Sequence, residues 1–84
     1  MSKSSEVKLV KIIADLAIFL EFTSEELLDP DAAVEAMEQM AAELQTLNNE
    51  DRTNLSNLFI GLSKEYSGDK SEYIRELPES LGLV

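Results

Sequence analysis

The spacing of apolar residues along this chain predicts four helices and no strand. From Val7 to Leu20 apolar positions recur every three or four residues, the period of an α-helix. Serines just before this stretch can cap a helix, so we predict a first helix over about 5–22. Its second half is apolar on nearly every side. Such a helix is either central in its bundle or covered by another chain.

Asp29 and Pro30 predict the start of a second helix over about 30–47, because Asp is a favoured N-cap and Pro suits the first helical position. Just upstream, Thr23 and Glu26 have the spacing of a capping box, which predicts one short turn. The second helix has a seam of apolar residues spaced four, three, four and three apart, which favours packing at a shallow angle on a neighbour. The seam consists of Ala33, Met37, Met40, Leu44 and Leu47.

Two further helices are predicted over about 50–66 and 69–77. Gly61 lies inside the first of these and indicates a close approach by another helix. Pro78 is expected to end the last helix, and the apolar residues after it either fold back or fray. Short connections predict antiparallel neighbours. The expected fold is a single all-α domain over 1–84, an up-and-down bundle of three to four helices that dimerisation could complete.

Charge is strongly segregated in this sequence. Residues 12–51 contain eleven acids and no lysine or arginine, whereas the rest of the chain holds all seven basic residues and six acids. The middle therefore has a net charge of −11, and the remainder has +1. Like charges repel and destabilise a compact chain, so this pattern predicts a basic protein partner.

Asp31, Glu35 and Glu38 are the centre of this prediction, because their spacing places them on one face of the second helix with no basic residue beside them. The alternative is a solvated face that only keeps the protein soluble. Two tyrosines that bracket the turn before the last helix are candidate aromatic anchors, although tyrosines also pack under turns. The predicted partner-binding residues are Glu25, Glu26, Asp29, Asp31, Glu35, Glu38, Tyr66 and Tyr73.

The first helix supplies a second hypothesis, a homodimeric structural or adaptor module whose acidic surface is merely solubilising. The expected dimer interface consists of Ile12, Ile13, Leu16 and Phe19. Dimerisation and binding of a basic partner are compatible with each other.

The composition disfavours several functions. The chain has no histidine and no cysteine, so we expect no enzyme, no cofactor and no metal site. Counted from Asp29, a calcium loop would need Gly and Glu where Val34 and Met40 stand. Phosphates would be repelled, so we expect no direct contact with nucleic acid. The apolar run of the first helix is too short to span a bilayer, so we expect a cytoplasmic protein without membrane contact.

The stretch Thr23-Ser24-Glu25-Glu26-Leu27-Leu28 resembles the Ser-Glu-Glu-Leu start of the second helix in colicin-type DNase immunity proteins. Those are small, acidic, all-helical bacterial proteins. The resemblance covers these six residues. It implies a dedicated, tight complex with a basic toxin domain, formed through the acidic helix. On this basis we expect an immunity or antitoxin-like protein that neutralises a nuclease-type toxin by occluding its active site.

Overall fold

A computed structural model of the chain describes residues 3–84 and shows four α-helices with no strand in that range. The helices are α1 (Lys3–Phe22), α2 (Pro30–Leu44), α3 (Asn49–Leu62) and α4 (Gly68–Ser80), with a 3₁₀ turn over Ser63–Glu65 between the last two. The predicted all-α helical bundle is therefore confirmed. Within residues 3–84 no helix is long and apolar enough to cross a membrane.

The hydrophobic core is built by α1, α3, α4 and the C-terminal tail. On α1, Val10, Ala14 and Ala17 follow one another at helical spacing and are buried, so the small alanines allow α3 and α4 to approach closely. The other buried residues of this core are Phe59, Leu62, Ile74, Leu77, Leu81 and Leu83. These residues leave α2 at the edge of the bundle.

Helix α2, at the edge of the bundle, begins where the sequence predicts but ends earlier than predicted. The Asp29 side chain accepts a hydrogen bond from the backbone N–H of Asp31 at 3.1 Å, and Pro30 occupies the first helical position. The expected end was residue 47, but beyond Leu44 the backbone bonds run from Leu47 to the Leu44 carbonyl, a 3₁₀ pattern. The helix is thus one turn shorter than predicted.

The end of α4 corrects the sequence prediction at Pro78. The helix continues through Pro78 to Ser80, where a glycine motif ends it. Gly82 has a left-handed φ of 72°, its N–H bonds to the Glu79 carbonyl, and the Leu83 N–H bonds to the Pro78 carbonyl. This is the Schellman arrangement. Because Leu81 and Leu83 are buried, the tail folds back onto the core and does not fray.

A third correction concerns Gly61. A Cβ added there would meet nothing within 4 Å, so no neighbouring helix approaches closely. A Cβ at Gly82, in contrast, would lie 2.4 Å from the Gln45 Nε2 atom, which donates a hydrogen bond to the Leu81 carbonyl.

We therefore expect Gly82→Ala and Gly61→Ala to have opposite effects. Gly82→Ala should lower the free energy of unfolding by about 1–2 kcal/mol, because of the left-handed φ and the displaced Gln45 side chain. Gly61→Ala should raise it by about 0.5–1 kcal/mol through helix propensity. Urea unfolding of both variants measures this. Equal effects of one sign would contradict the assigned roles.

Candidate functional site

The outer surface of α2 presents the three predicted carboxylates together. Asp31, Glu35 and Glu38 are exposed and lie on the side of the helix away from its core seam. At a rise of about 1.5 Å per residue they span about 10 Å along the helix. We call these three residues the acidic face.

Among the residues that the structure describes, the acidic face forms no ion pair. Within residues 3–84 the one ion pair joins Lys11 to Asp15, which lies on α1. The contact made by the acidic face is a 3.4 Å hydrogen bond that Glu35 accepts from Gln39 on the same helix. The like charges of Asp31, Glu35 and Glu38 therefore have no compensating ion pair within the described part of the chain.

The turn before α2 places further acids next to the acidic face. Glu25 and Glu26 are exposed in a turn whose backbone bonds converge on the Ser24 carbonyl. Asp29 is partly committed, since one of its oxygens caps α2. Glu25 and Glu26 therefore extend the negative surface around the helix start, whereas Asp29 also has a structural role.

A groove of about 480 Å³ runs beside α2, where this helix stands off from α4. Apolar side chains from three helices form much of its lining, and one carboxylate from each helix also borders it. The apolar residues are Leu20, Ala33, Val34, Met37, Ala41 and Tyr73, and the carboxylates are Glu21, Glu38 and Glu76. We call this the acid-rimmed groove. Its chemistry suits an apolar side chain flanked by lysine or arginine.

Glu38 belongs both to the acidic face and to the acid-rimmed groove, so the two surfaces are continuous. The groove also contains Tyr73. The structure thus brings together Glu38 and Tyr73, two of the residues predicted from the sequence to bind a partner. Glu21 and Glu76 were missed, because α1 and α4 come together with α2 only in the tertiary structure.

Tyr73 is held between α4 and α1. Its ring meets Phe22 edge-on at a centroid distance of 5.6 Å, and its hydroxyl lies 3.4 Å from the Ala17 carbonyl. Burial, together with the negative charge of Glu21, raises the pKa of Tyr73 to about 12 from an ordinary value of 10.0. The phenol is therefore neutral at physiological pH and can donate a hydrogen bond.

The raised pKa of Tyr73 predicts an alkaline loss of stability. The stability that the neutral Tyr73 hydroxyl contributes is fully present below pH 10, the pKa of tyrosine in the unfolded chain. It is lost as the pH rises through about 12, the pKa of Tyr73 in the folded protein. In a Tyr66→Phe chain Tyr73 is the only tyrosine, so the phenolate absorbance reports its pKa directly. We expect a midpoint near 12 in the folded protein and near 10 in urea. A folded midpoint near 10 would contradict the assigned environment.

Tyr66 does not line the acid-rimmed groove. Its hydroxyl donates to Asp15 on α1 and accepts a 3.0 Å hydrogen bond from the Lys11 ammonium, whose Nζ lies 5.3 Å from the ring centroid. These bonds lower the pKa of Asp15 and raise the pKa of Lys11. The pKa of Tyr66 is raised, mainly by burial. Tyr66 thus ties the end of the 3₁₀ turn to α1 and lies apart from the acidic face.

The proposed dimer residues of α1 divide between two sides. Ile12, Leu16 and Phe19 are 62%, 46% and 53% exposed. Ile13 instead packs against the core and faces α2 beside Met40. Leu9 was not predicted as an interface residue, although it is exposed and continues the helical spacing of Ile12, Leu16 and Phe19.

No group of three or more acids, cysteines or histidines within residues 3–84 is placed to hold a metal ion. Comparison with family models, with curated proteins and with solved structures found no match for this chain.

Proposed function

We propose that this chain is an immunity or antitoxin-like binding protein that neutralises a basic toxin domain. The observation that carries the proposal is the exposed acidic face of α2, which has no cation beside it within residues 3–84 and adjoins an apolar groove. A basic cleft that binds phosphates would accept these carboxylates in their place. The nuclease class of toxin fits best, because nucleases bind phosphates with lysine and arginine.

The carboxylates of the acidic face repel one another, and the free-energy cost of this repulsion supports the proposal. Pairs such as Asp31 and Glu35 destabilise an isolated helix by a few tenths of a kcal/mol each. Solubility alone would be served by mixed charges. A basic partner turns the same repulsion into attraction, and the segment of net charge −11 would steer the encounter and speed association at low salt.

The acid-rimmed groove would supply much of the affinity. Val34 is 56% exposed at the edge of the groove, next to Glu38. Apolar and aromatic contacts at the centre of an interface usually dominate binding energy, while charges around them set orientation. A toxin side chain that enters between α2 and α4 would therefore bury Val34, Met37 and the edge of Tyr73.

The mechanism is occlusion. The inhibitor covers the approach to the toxin's active site and performs no chemistry itself. In such a system the inhibitor acts in the bacterial cytoplasm, where the toxin would otherwise reach nucleic acid. The protein itself makes no direct contact with nucleic acid, because its carboxylates repel phosphates.

Charge reversal on the acidic face tests the proposal. Glu35→Lys with Glu38→Lys should weaken capture of a basic protein from the native source by about 100-fold and abolish inhibition of that protein's nuclease activity. Glu65→Lys with Glu72→Lys is the matched control, because it changes net charge equally at exposed positions outside α2. Circular dichroism checks that both variants fold. Equal loss in both pairs, or in neither, would falsify a role for the acidic face.

A second pair of variants separates the groove from the charge. Val34→Gln should weaken partner binding without loss of stability. Ile60→Gln is the control, since Ile60 is 47% exposed on α3, away from the groove. If Val34→Gln binds as the unchanged chain does, the partner contacts only the acidic face.

A further inference from the structure

One face of α1 carries an exposed apolar stripe. Leu9, Ile12, Leu16 and Phe19 are spaced three, four and three residues apart, so they line one side of the helix over about 15 Å. The opposite side holds Val10, Ala14 and Ala17 in the core. We call these four exposed residues the α1 stripe.

We propose that the α1 stripe is the interface of an antiparallel homodimer, in which α1 of one copy lies against α1 of a second. Alternation of three and four is the spacing of a two-helix seam. A two-fold axis near Ala14 makes the stripe self-complementary, as a closed dimer requires. Leu9 then lies opposite Phe19 of the second copy, and Ile12 lies opposite Leu16 of the second copy.

The distribution of charge along α1 indicates that the partner is a second copy of this chain and that the two helices run antiparallel. On α1, residues 3–11 contain three lysines and one glutamate, whereas residues 15–22 contain two acids, Asp15 and Glu21, and no cation. An antiparallel pair places the basic start of each α1 beside the acidic end of the other. A parallel pair would place like charge beside like charge at both ends of α1, and these charges repel. The stripe therefore fits a partner with the same asymmetry of charge, and this chain has it.

The rest of the described chain cannot cover the stripe. Helices α3 and α4 pack on the opposite side of α1, and α2 approaches along Ile13. The C-terminal tail is held in the core by Leu81 and Leu83. Within residues 3–84, Ile12 and Phe19 are therefore left open to contact with another molecule.

The oligomeric state is the first test. We expect light scattering at high micromolar concentration to give twice the chain mass of 9.4 kDa, with dissociation on dilution. Ile12→Gln with Leu16→Gln should raise the dimer Kd by about tenfold or more, because both residues leave water in the dimer. Glutamine keeps helix propensity, so circular dichroism should show the helices unchanged. Val34→Gln with Ile60→Gln, an equally exposed apolar pair on other helices, should leave the dimer intact.

Direction is tested by cross-linking, which is clean because the chain has no cysteine. Antiparallel pairing about Ala14 separates the two Lys8 positions by about 18 Å and the two Thr23 positions by about 27 Å along the helices. A short bis-maleimide should therefore link a mixture of Lys8→Cys and Thr23→Cys chains. Neither chain should link to itself.

Three results would overturn the proposal. The first is a monomer at high micromolar concentration, and the second is a dimer that the double glutamine variant retains. The third is self-linking of Lys8→Cys chains, which would indicate a parallel pair. The α1 stripe shares no residue with the acidic face, so a dimer-defective variant should still bind the basic partner.

Discussion

Phe59→Ala is expected to remove a large part of the stability of this protein. The Phe59 side chain is fully buried in α3, in the core that α3 shares with α1 and α4. Truncation of a buried phenylalanine costs about 3–5 kcal/mol, because the lost apolar burial adds to the cavity left behind. A chain of this size has a total stability of about 4–13 kcal/mol. Urea unfolding followed by circular dichroism should show a large fall in the midpoint.

Phe19→Ala is the matched control, measured at low protein concentration so that the proposed dimer would be dissociated. The Phe19→Ala substitution makes the same chemical change at an exposed position. We therefore expect the free energy of unfolding to fall by less than about 1 kcal/mol. If Phe59→Ala is too unstable to measure, Phe59→Leu leaves a smaller cavity and should give a smaller loss of the same sign. Similar costs for Phe59→Ala and Phe19→Ala would show that Phe59 is not central to the core.

Leu81→Ala should have the second largest effect, about 2–5 kcal/mol of destabilisation. Leu81 lies outside the helices, directly after α4, yet it is fully buried. Its carbonyl also accepts a 3.1 Å hydrogen bond from Gln45 at the end of α2. The tail is thereby fixed both to the core and to α2. Thermal and urea unfolding of Leu81→Ala measure the cost.

Leu27→Ala is the control for this change, because Leu27 is 84% exposed in the turn before α2. We expect its effect to stay within about 0.5 kcal/mol. An effect of Leu81→Ala as small as that of Leu27→Ala would mean that the tail frays in solution.

The helices were predictable from the sequence because their signals are local. Asp29 and Pro30 both favour a helix start, and Asn48 caps α3 through a 2.8 Å bond to the Asp51 N–H. The end of α4 was wrongly predicted from Pro78, and the signal of Gly82 was missed. A proline near the end of a helix removes one backbone bond, whereas a glycine followed by an apolar residue forms a motif that satisfies several.

The candidate site was only partly predictable. The acidic face follows from residue spacing on a single helix, so Asp31, Glu35 and Glu38 could be grouped from the sequence. The acid-rimmed groove could not, because it depends on how far α2 stands from α4. The α1 stripe needed the structure as well: Ile13 and Ile12 are neighbours in sequence, and the packing of α2 decides which of them is covered.

The loose position of α2 has a consequence for amide hydrogen exchange. Of the fifteen residues of α2, all of which the structure describes, Ala33 alone is buried, whereas α1, α3 and α4 each bury three. Amides of α2 should therefore exchange through local opening, at free energies well below that of global unfolding. A partner seated on α2 would slow this exchange selectively. The least protected helix in the free protein would then become the most sensitive reporter of the complex.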